Sequence, residues 1–77
     1  MNTVRFQVII EQDEDELFVA DVPALQGCHT QGRTFEEAIE NIKEVIVMCV
    51  QELREEGKPI EVAYPEVIGI KTLEIAV

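Results

Sequence analysis

The sequence predicts an α+β fold of two layers, an antiparallel sheet with one long helix on it, in the order β-β-β-α-β. Apolar and polar residues alternate along residues 3–11, which is the period of a strand. A helix-forming run follows from residue 34 to residue 56, with its apolar residues on one side. The β-prone closing run, residues 67–77, supplies the last strand.

The first two strands form a hairpin. Residues 3–11 and residues 17–22 are its arms, and the acidic residues 12–16 are its turn. Pro23 ends the second arm, because proline has no N–H to donate to the ladder. Residues 24–27 then form a second turn.

A short third strand, residues 28–31, leads into the helix through Gly32, a natural position for a positive φ. Thr34 is a good N-cap, and Glu37 three residues later completes a capping box. Gly57 is placed to end the helix. The apolar arc that we expect to dock on the sheet comprises Phe35, Ala38, Ile39, Ile42, Val45, Ile46, Cys49, Val50 and Leu53.

The composition bounds the function. A chain of 77 residues allows one domain, residues 1–77, whose small core favours homo-oligomers. Six basic and sixteen acidic residues give a net charge of −10, which argues against direct binding of nucleic acid. The same charge fits either a basic protein partner or simple solubility. With no secretory leader or membrane-length apolar run, we expect a cytoplasmic chain without a membrane partner.

No motif indicates a cofactor, a metal site or catalysis. The acidic residues 11–16 lack the glycine and the distal glutamate of a calcium loop, so a solvated turn is the better interpretation. Cys28 and His29 adjoin in a strand and point to opposite faces, which disfavours a nucleophile–base pair. Asp21 leaves a metal-dependent nuclease as an alternative, although that chemistry needs several converging carboxylates.

Two apolar groups lie where water is expected. Val47 falls within the polar side of the helix and Met48 at its margin. They are either ordinary exposed residues or a contact patch for another subunit or a partner. The closing strand would be an aggregation hazard as a free edge, so we expect it to pair in its own sheet or with another subunit. The candidate oligomer-interface residues are Val47, Met48, Leu73 and Ile75.

Residues 22–38 read VPALQGCHTQGRTFEEA and combine turn, glycine and capping elements in register. The positions that carry the pattern are Pro23, Leu25, Gly27, Cys28, Thr30, Gln31, Gly32, Thr34, Glu36, Glu37 and Ala38. Together with the acidic hairpin before it and the long helix after it, this segment resembles the HicB-type antitoxin family over roughly residues 4–60. We expect Pro23, Leu25, Gly27, Cys28, Gly32, Thr34 and Glu37 to hold the frame without touching a partner.

The resemblance implies a partial, degenerate RNase H-like fold and a binding function. The partner would be a HicA-type toxin, a small basic mRNA interferase, whose catalytic surface the acidic protein would mask. The residues expected to supply the charge are Glu11, Asp13, Glu14, Asp15 and Glu16. The alternatives are a solitary homo-oligomer with an unrelated protein partner and a residual nuclease.

This chain departs from the family pattern in two places. Ala24 and Gln26 stand where an acidic residue and a proline are often found in the turn. The chain ends at Val77 without the helix-turn-helix or ribbon-helix-helix module that many relatives carry, so DNA binding is not implied.

Overall fold

The computed structural model describes residues 3–60 and 68–77. Its elements are β1 (Ile9–Gln12), β2 (Phe18–Asp21), β3 (His29–Gly32) and α1 (Phe35–Glu55). The strands form one antiparallel sheet in the order β1-β2-β3. The helix packs on one face of this sheet, chiefly against β3 and β2. This arrangement confirms the predicted α+β fold of an antiparallel sheet with one long helix.

The strands are shorter than the alternation predicts. Each has four residues, and β1 begins only at Ile9, where pairing with Asp21 of β2 starts. Residues 3–8 continue the alternation without forming part of the sheet, although Phe6 and Val8 still pack against the core. Sequence periodicity predicts the face on which a residue lies, whereas the length of a strand depends on how far a neighbouring strand pairs with it.

Local capping sets both ends of α1. The Thr34 hydroxyl accepts a hydrogen bond from the Glu37 N–H at 3.0 Å, as the capping box predicts. The Glu37 carboxylate reaches back to the Arg33 N–H at 3.3 Å, one residue before the cap. At the other end Gly57 adopts a φ of +71°, and its N–H donates to the Arg54 carbonyl at 3.1 Å.

Gly32 is required for a different reason from the one the sequence indicated. The expected positive φ occurs in the described residues at Gly27 and Gly57, not at Gly32. A Cβ at Gly32 would lie 2.5 Å from the Ala38 nitrogen and 2.9 Å from the Glu37 carbonyl carbon. The end of β3 and the first turn of α1 therefore approach so closely that no side chain fits between them.

The core is small, and its fully buried residues are Ala20, Val22, Leu25, Cys28, Ala38 and Ile42. Most of the predicted helix arc is half-buried, and Phe35 is 50% exposed, with its ring edge-on to Phe18 at 6.4 Å. The cause is a mismatch of lengths. The 21 residues of α1 span about 31 Å, whereas strands of four residues span about 13 Å. The helix therefore extends well past the sheet.

The predicted last strand is not part of the sheet. Residues 68–77 form no strand and are exposed, and Val67 lies outside the described residues. The described order is thus β-β-β-α, without the final β of the prediction. A β-prone segment becomes a strand only where a neighbouring backbone accepts its hydrogen bonds, and no described strand does so.

Candidate partner-binding surface

The predicted acidic residues cluster at the β1–β2 hairpin, which we call the acidic hairpin. It comprises Glu11, Asp13, Glu14, Asp15 and Glu16, all of them exposed. Glu11 belongs to β1, and the other four form the turn between the strands. The structure therefore brings all five predicted charges to one end of the molecule.

Asp13 has a structural task within the hairpin. Its Oδ1 accepts hydrogen bonds from the N–H groups of Asp15 at 2.9 Å and Leu17 at 3.0 Å. The Asp13 N–H also donates to the Leu17 carbonyl at 2.9 Å, and Glu16 closes the turn at a φ of +65°. Asp13 thus holds the shape of the turn, and the carboxylates of Glu14 and Asp15 project from it into water.

A second feature is the sheet face turned away from the helix, which we call the open face. Because side chains alternate along a strand, the residues beside buried Ala20 point to this face, as do their partners on β1 and β3. The open face comprises Ile9, Glu11, Val19, Asp21, His29 and Gln31.

The open face is amphipathic. Val19 lies between Glu11 and Gln31 in the sheet, and Asp21 lies between Ile9 and His29. Ile9 and Val19 are half-buried, whereas the polar residues are exposed. The face thus combines an apolar centre with two carboxylates, and Glu11 makes it continuous with the acidic hairpin.

Most of the open face was not identified from the sequence. Only Glu11 was predicted to contact a partner, and Asp21 was considered only as a metal ligand. The signal was nevertheless present, because Ile9 and Val19 are apolar residues at positions out of phase with the buried side of their strands.

Four predicted frame residues, Pro23, Leu25, Gly27 and Cys28, form the second turn at the other end of β2. The remaining three, Gly32, Thr34 and Glu37, lie where β3 passes into α1, and Gly32 pairs with Phe18 at the acidic-hairpin end of β2. Three backbone hydrogen bonds close the second turn, from Val22 N–H to the Cys28 carbonyl, from Leu25 to Val22 and from Cys28 to Leu25, each at 3.0–3.1 Å. Leu25 and Cys28 are buried, and Gly27 supplies a φ of +75°. The turn is thus internally bonded and remote from the acidic hairpin.

A groove lies between this turn and the end of α1, with a volume of about 570 Å³. Leu25, Cys49 and Leu53 are among its apolar residues, and Ala24 and Gln26, the two family departures, also line it. These departures therefore alter the groove and not the acidic surface.

The two cysteines are free thiols in contact across the layers. Cys28 of the second turn is buried, and Cys49 of α1 lies beside it and is half-buried. Burial, reinforced by Cys49 and by the charge of Asp21, raises the pKa of the Cys28 thiol from 9.0 to about 12. At neutral pH this thiol is protonated and therefore a poor nucleophile. His29, its neighbour, is exposed on the open face.

The sequence profile described as HicB_like antitoxin of bacterial toxin-antitoxin system matches residues 6–72. The chain belongs to the HicB-like antitoxin family. Membership implies a role in a toxin–antitoxin system with a toxin as partner, and it suggests a non-catalytic role. The match includes the acidic hairpin, the second turn and α1.

Relatives of similar length support the assignment of this HicB-like protein. A UPF0150 protein from Synechocystis sp. is 39% identical over 75 residues, covering 97% of this chain and 100% of the relative. A UPF0150 protein from Thermoplasma acidophilum is 46% identical over 57 residues, covering 74% and 83%. The crystal structure of the N-terminal domain of Burkholderia pseudomallei antitoxin HicB matches with a TM-score of 0.65 at 33% identity, covering 75% of this chain and 68% of that chain.

The remaining predicted residues of this HicB-like protein lie on separate segments. Val47 and Met48 are each 56% exposed on α1, and Leu73 and Ile75 are 67% and 70% exposed in the closing segment. Within residues 3–60 and 68–77, no three His, Cys, Asp or Glu side chains are grouped so that they could hold a metal ion. In the described part of the chain, no helix has the length and apolarity needed to cross a bilayer.

Proposed function

We propose that this HicB-like protein neutralises a HicA-type toxin, a small basic mRNA interferase, by covering its basic catalytic surface. The observation that carries the proposal is the continuity of the acidic hairpin with the open face, on the side of the sheet that the helix leaves uncovered. A toxin that grips RNA must present cations, and this surface offers carboxylates in a fixed arrangement.

Charge and apolar contact have different roles in this proposal. The acidic hairpin speeds the encounter with a basic protein and makes it sensitive to salt. Ile9 and Val19 then supply the apolar contact that protein interfaces have at their centre. Asp13 holds the shape of the turn before the toxin binds. Binding therefore does not incur the entropic cost of ordering the hairpin.

The proposal includes the wider setting. The protein acts in the cytoplasm, without a cofactor or a metal, and does not bind nucleic acid or membrane directly. Residues 1–77 work as a single HicB-like domain, and the fold is a partial RNase H-like one. Self-association accompanies toxin binding, through the exposed residues Val47, Met48, Leu73 and Ile75. The frame residues stay out of the interface: Pro23, Leu25, Gly27, Cys28, Gly32, Thr34 and Glu37.

The test is an RNA cleavage assay with a purified HicA-type toxin and increasing amounts of this protein. Cleavage should stop near equimolar protein, because masking is stoichiometric. A basic ribonuclease of unrelated fold, assayed in parallel, should keep its activity, since general binding to a polyanion would inhibit both enzymes. Undiminished cleavage by the toxin at molar excess would contradict the proposal for that pair and favour an unrelated partner.

A further inference from the structure

The closing segment, residues 68–77, is an exposed strand-former. Its large apolar residues are all exposed, four of them by 67% to 90% and the last one fully: Ile68, Ile70, Leu73, Ile75 and Val77. Leu73, Ile75 and Val77 alternate with smaller or polar residues, so they share one face when the segment is extended. Lys71 and Glu74 cancel in charge, so this segment is neutral within an acidic chain.

The outer edge of β1 offers a partner for such a strand. Asp13 N–H bonds the Leu17 carbonyl, and ladder bonds recur at every second residue of an antiparallel pair. Glu11 and Ile9 therefore bond β2, whereas Ile10 and Gln12 direct their N–H and C=O groups outward. An open edge of this kind is a template for another strand.

The opposite edge of the sheet is less available. The same alternation, set by the Val22–Cys28 bond, directs the backbone of Gln31 outward from β3. There the Asn41 side-chain amide donates to the Gln31 carbonyl at 2.9 Å, and α1 packs closest to this strand. Among the described hydrogen bonds, the edge of β1 has no such cap.

The helix also leaves β1 partly uncovered. The helix lies over β3 and β2, so Phe6, Val8 and Ile10 pack against the core while staying half-buried. A strand added at β1 would place its apolar face beside these three side chains. Ten residues extend about 33 Å, which exceeds the length of β1 and reaches alongside residues 4–8.

We infer that residues 68–77 of a second copy add to the outer edge of β1, and that the two copies exchange these segments. The exposure of the segment shows that it does not pack on the described part of its own chain. Each copy carries one open edge and one exposed strand-former, so a two-fold axis satisfies both pairs at once. This inference rests on the proposed self-association and specifies its geometry.

The first measurement is the molar mass of the full chain by light scattering. We expect about twice the 8.7 kDa of one chain. Leu73→Glu with Ile75→Glu places charge on the apolar face and should raise the dimer dissociation constant by at least about 100-fold. The matched control, Thr72→Glu with Ala76→Glu, adds the same charge to the opposite face of the segment and should leave the dimer largely intact. Equal loss in both variants, or in neither, would overturn the inference.

The second measurement separates exchange from other modes of self-association. Isotopically labelled and unlabelled chains are refolded together, and filtered NMR spectra report only contacts between copies. Contacts from the Leu73 and Ile75 methyls of one copy to the Val8 and Ile10 methyls of the other support the exchange. Contacts within one chain, or none to β1, overturn it. A dimer that lacks these contacts would leave the proposed self-association standing and remove only this geometry.

Discussion

At the scale of single residues, Gly32 decides how closely helix and sheet approach. The position reads as an ordinary loop glycine in the sequence, but the obstacle to a side chain there is the backbone of Ala38 at 2.5 Å. Backbone atoms cannot rotate away as a flexible side chain can. The strand end and the helix start must therefore separate to admit even a methyl group.

Gly32→Ala should lower the free energy of unfolding by about 1–3 kcal/mol, the usual cost of overpacking. Gly27→Ala serves as the first control, because Gly27 has open space and only its φ of +75° is strained, at a cost of about 1 kcal/mol. Gly69→Ala, with nothing within 4 Å, should be neutral. Urea unfolding measures all three, and equal stability of the Gly32 and Gly69 variants would contradict the close approach.

Cys28 gives the stability of the protein a dependence on alkaline pH. The buried thiol keeps its proton up to a pKa of about 12, whereas in the unfolded chain it ionises with a pKa of 9.0. Because the folded pKa is the higher one, the stabilisation is complete below pH 9.0 and is lost as pH rises toward 12. From about pH 8 to pH 10.5 the loss should be about 2 kcal/mol.

The measurement compares urea unfolding of the wild type and Cys28→Ala across this pH range. The variant is less stable at neutral pH but lacks the titrating thiol, so its stability should fall less steeply. Groups away from Cys28 titrate alike in both proteins and cancel in the difference. Parallel pH profiles would show that burial does not hold the proton on Cys28.

At the scale of elements, the helix was predictable and the strand ends were not. Thr34, Glu37 and Gly57 act within a turn of their own positions, so the predicted bounds of α1 agree with the structure. The start of β1 is set by its pairing with β2, which begins at Ile9 opposite Asp21, and not by the residues of β1 alone. Phe35 is half-exposed for a related reason. Periodicity predicts the side of the helix on which Phe35 lies but not how far the sheet extends beneath it.

The outer side of α1 carries the exposed pair Val47 and Met48. If this pair contributes to self-association, Val47→Glu with Met48→Glu should weaken the dimer by about tenfold or more, because two charges would lose their water on contact. Gln51→Glu with Arg54→Gln is the matched control, since it makes the same change in net charge on exposed positions of the same helix. Light scattering at several concentrations measures both, and an unchanged dimer in the Val47, Met48 double variant would identify the pair as ordinary surface residues.

At the scale of the whole molecule, the sequence indicated the class of partner better than the surface that we propose for its binding. The net charge of −10 follows from the composition, and the acidic hairpin can be identified from the closely spaced acidic residues of the sequence. The open face emerges only when the register brings Glu11, Val19 and Gln31 side by side. The exposed closing segment likewise shows its lack of a partner only once the sheet is built.

The small core gives a physical reason for both kinds of contact. The six buried hydrophobic residues of the described structure leave most of the helix arc half-covered, and a chain of 77 residues buries too little surface to be very stable alone. A second copy and a toxin would each cover a different part of the molecule. The former would cover the edge of β1 and the latter the open face, so both can bind at once.

The central claim is that the acidic hairpin and the open face bind the toxin, and one affinity measurement tests it most directly. Glu11→Gln, Glu14→Gln and Asp15→Asn together remove three charges while sparing Asp13, which holds the turn. Glu44→Gln, Glu52→Gln and Glu55→Gln remove three charges from the helix and change the net charge equally, from −10 to −10 + 3 = −7. The hairpin variant should bind a HicA-type toxin at least about tenfold more weakly at low salt, with a smaller salt dependence, and the helix variant should bind nearly as the wild type does. Equal affinities for the two variants would show that net charge alone matters and that the toxin does not bind this surface.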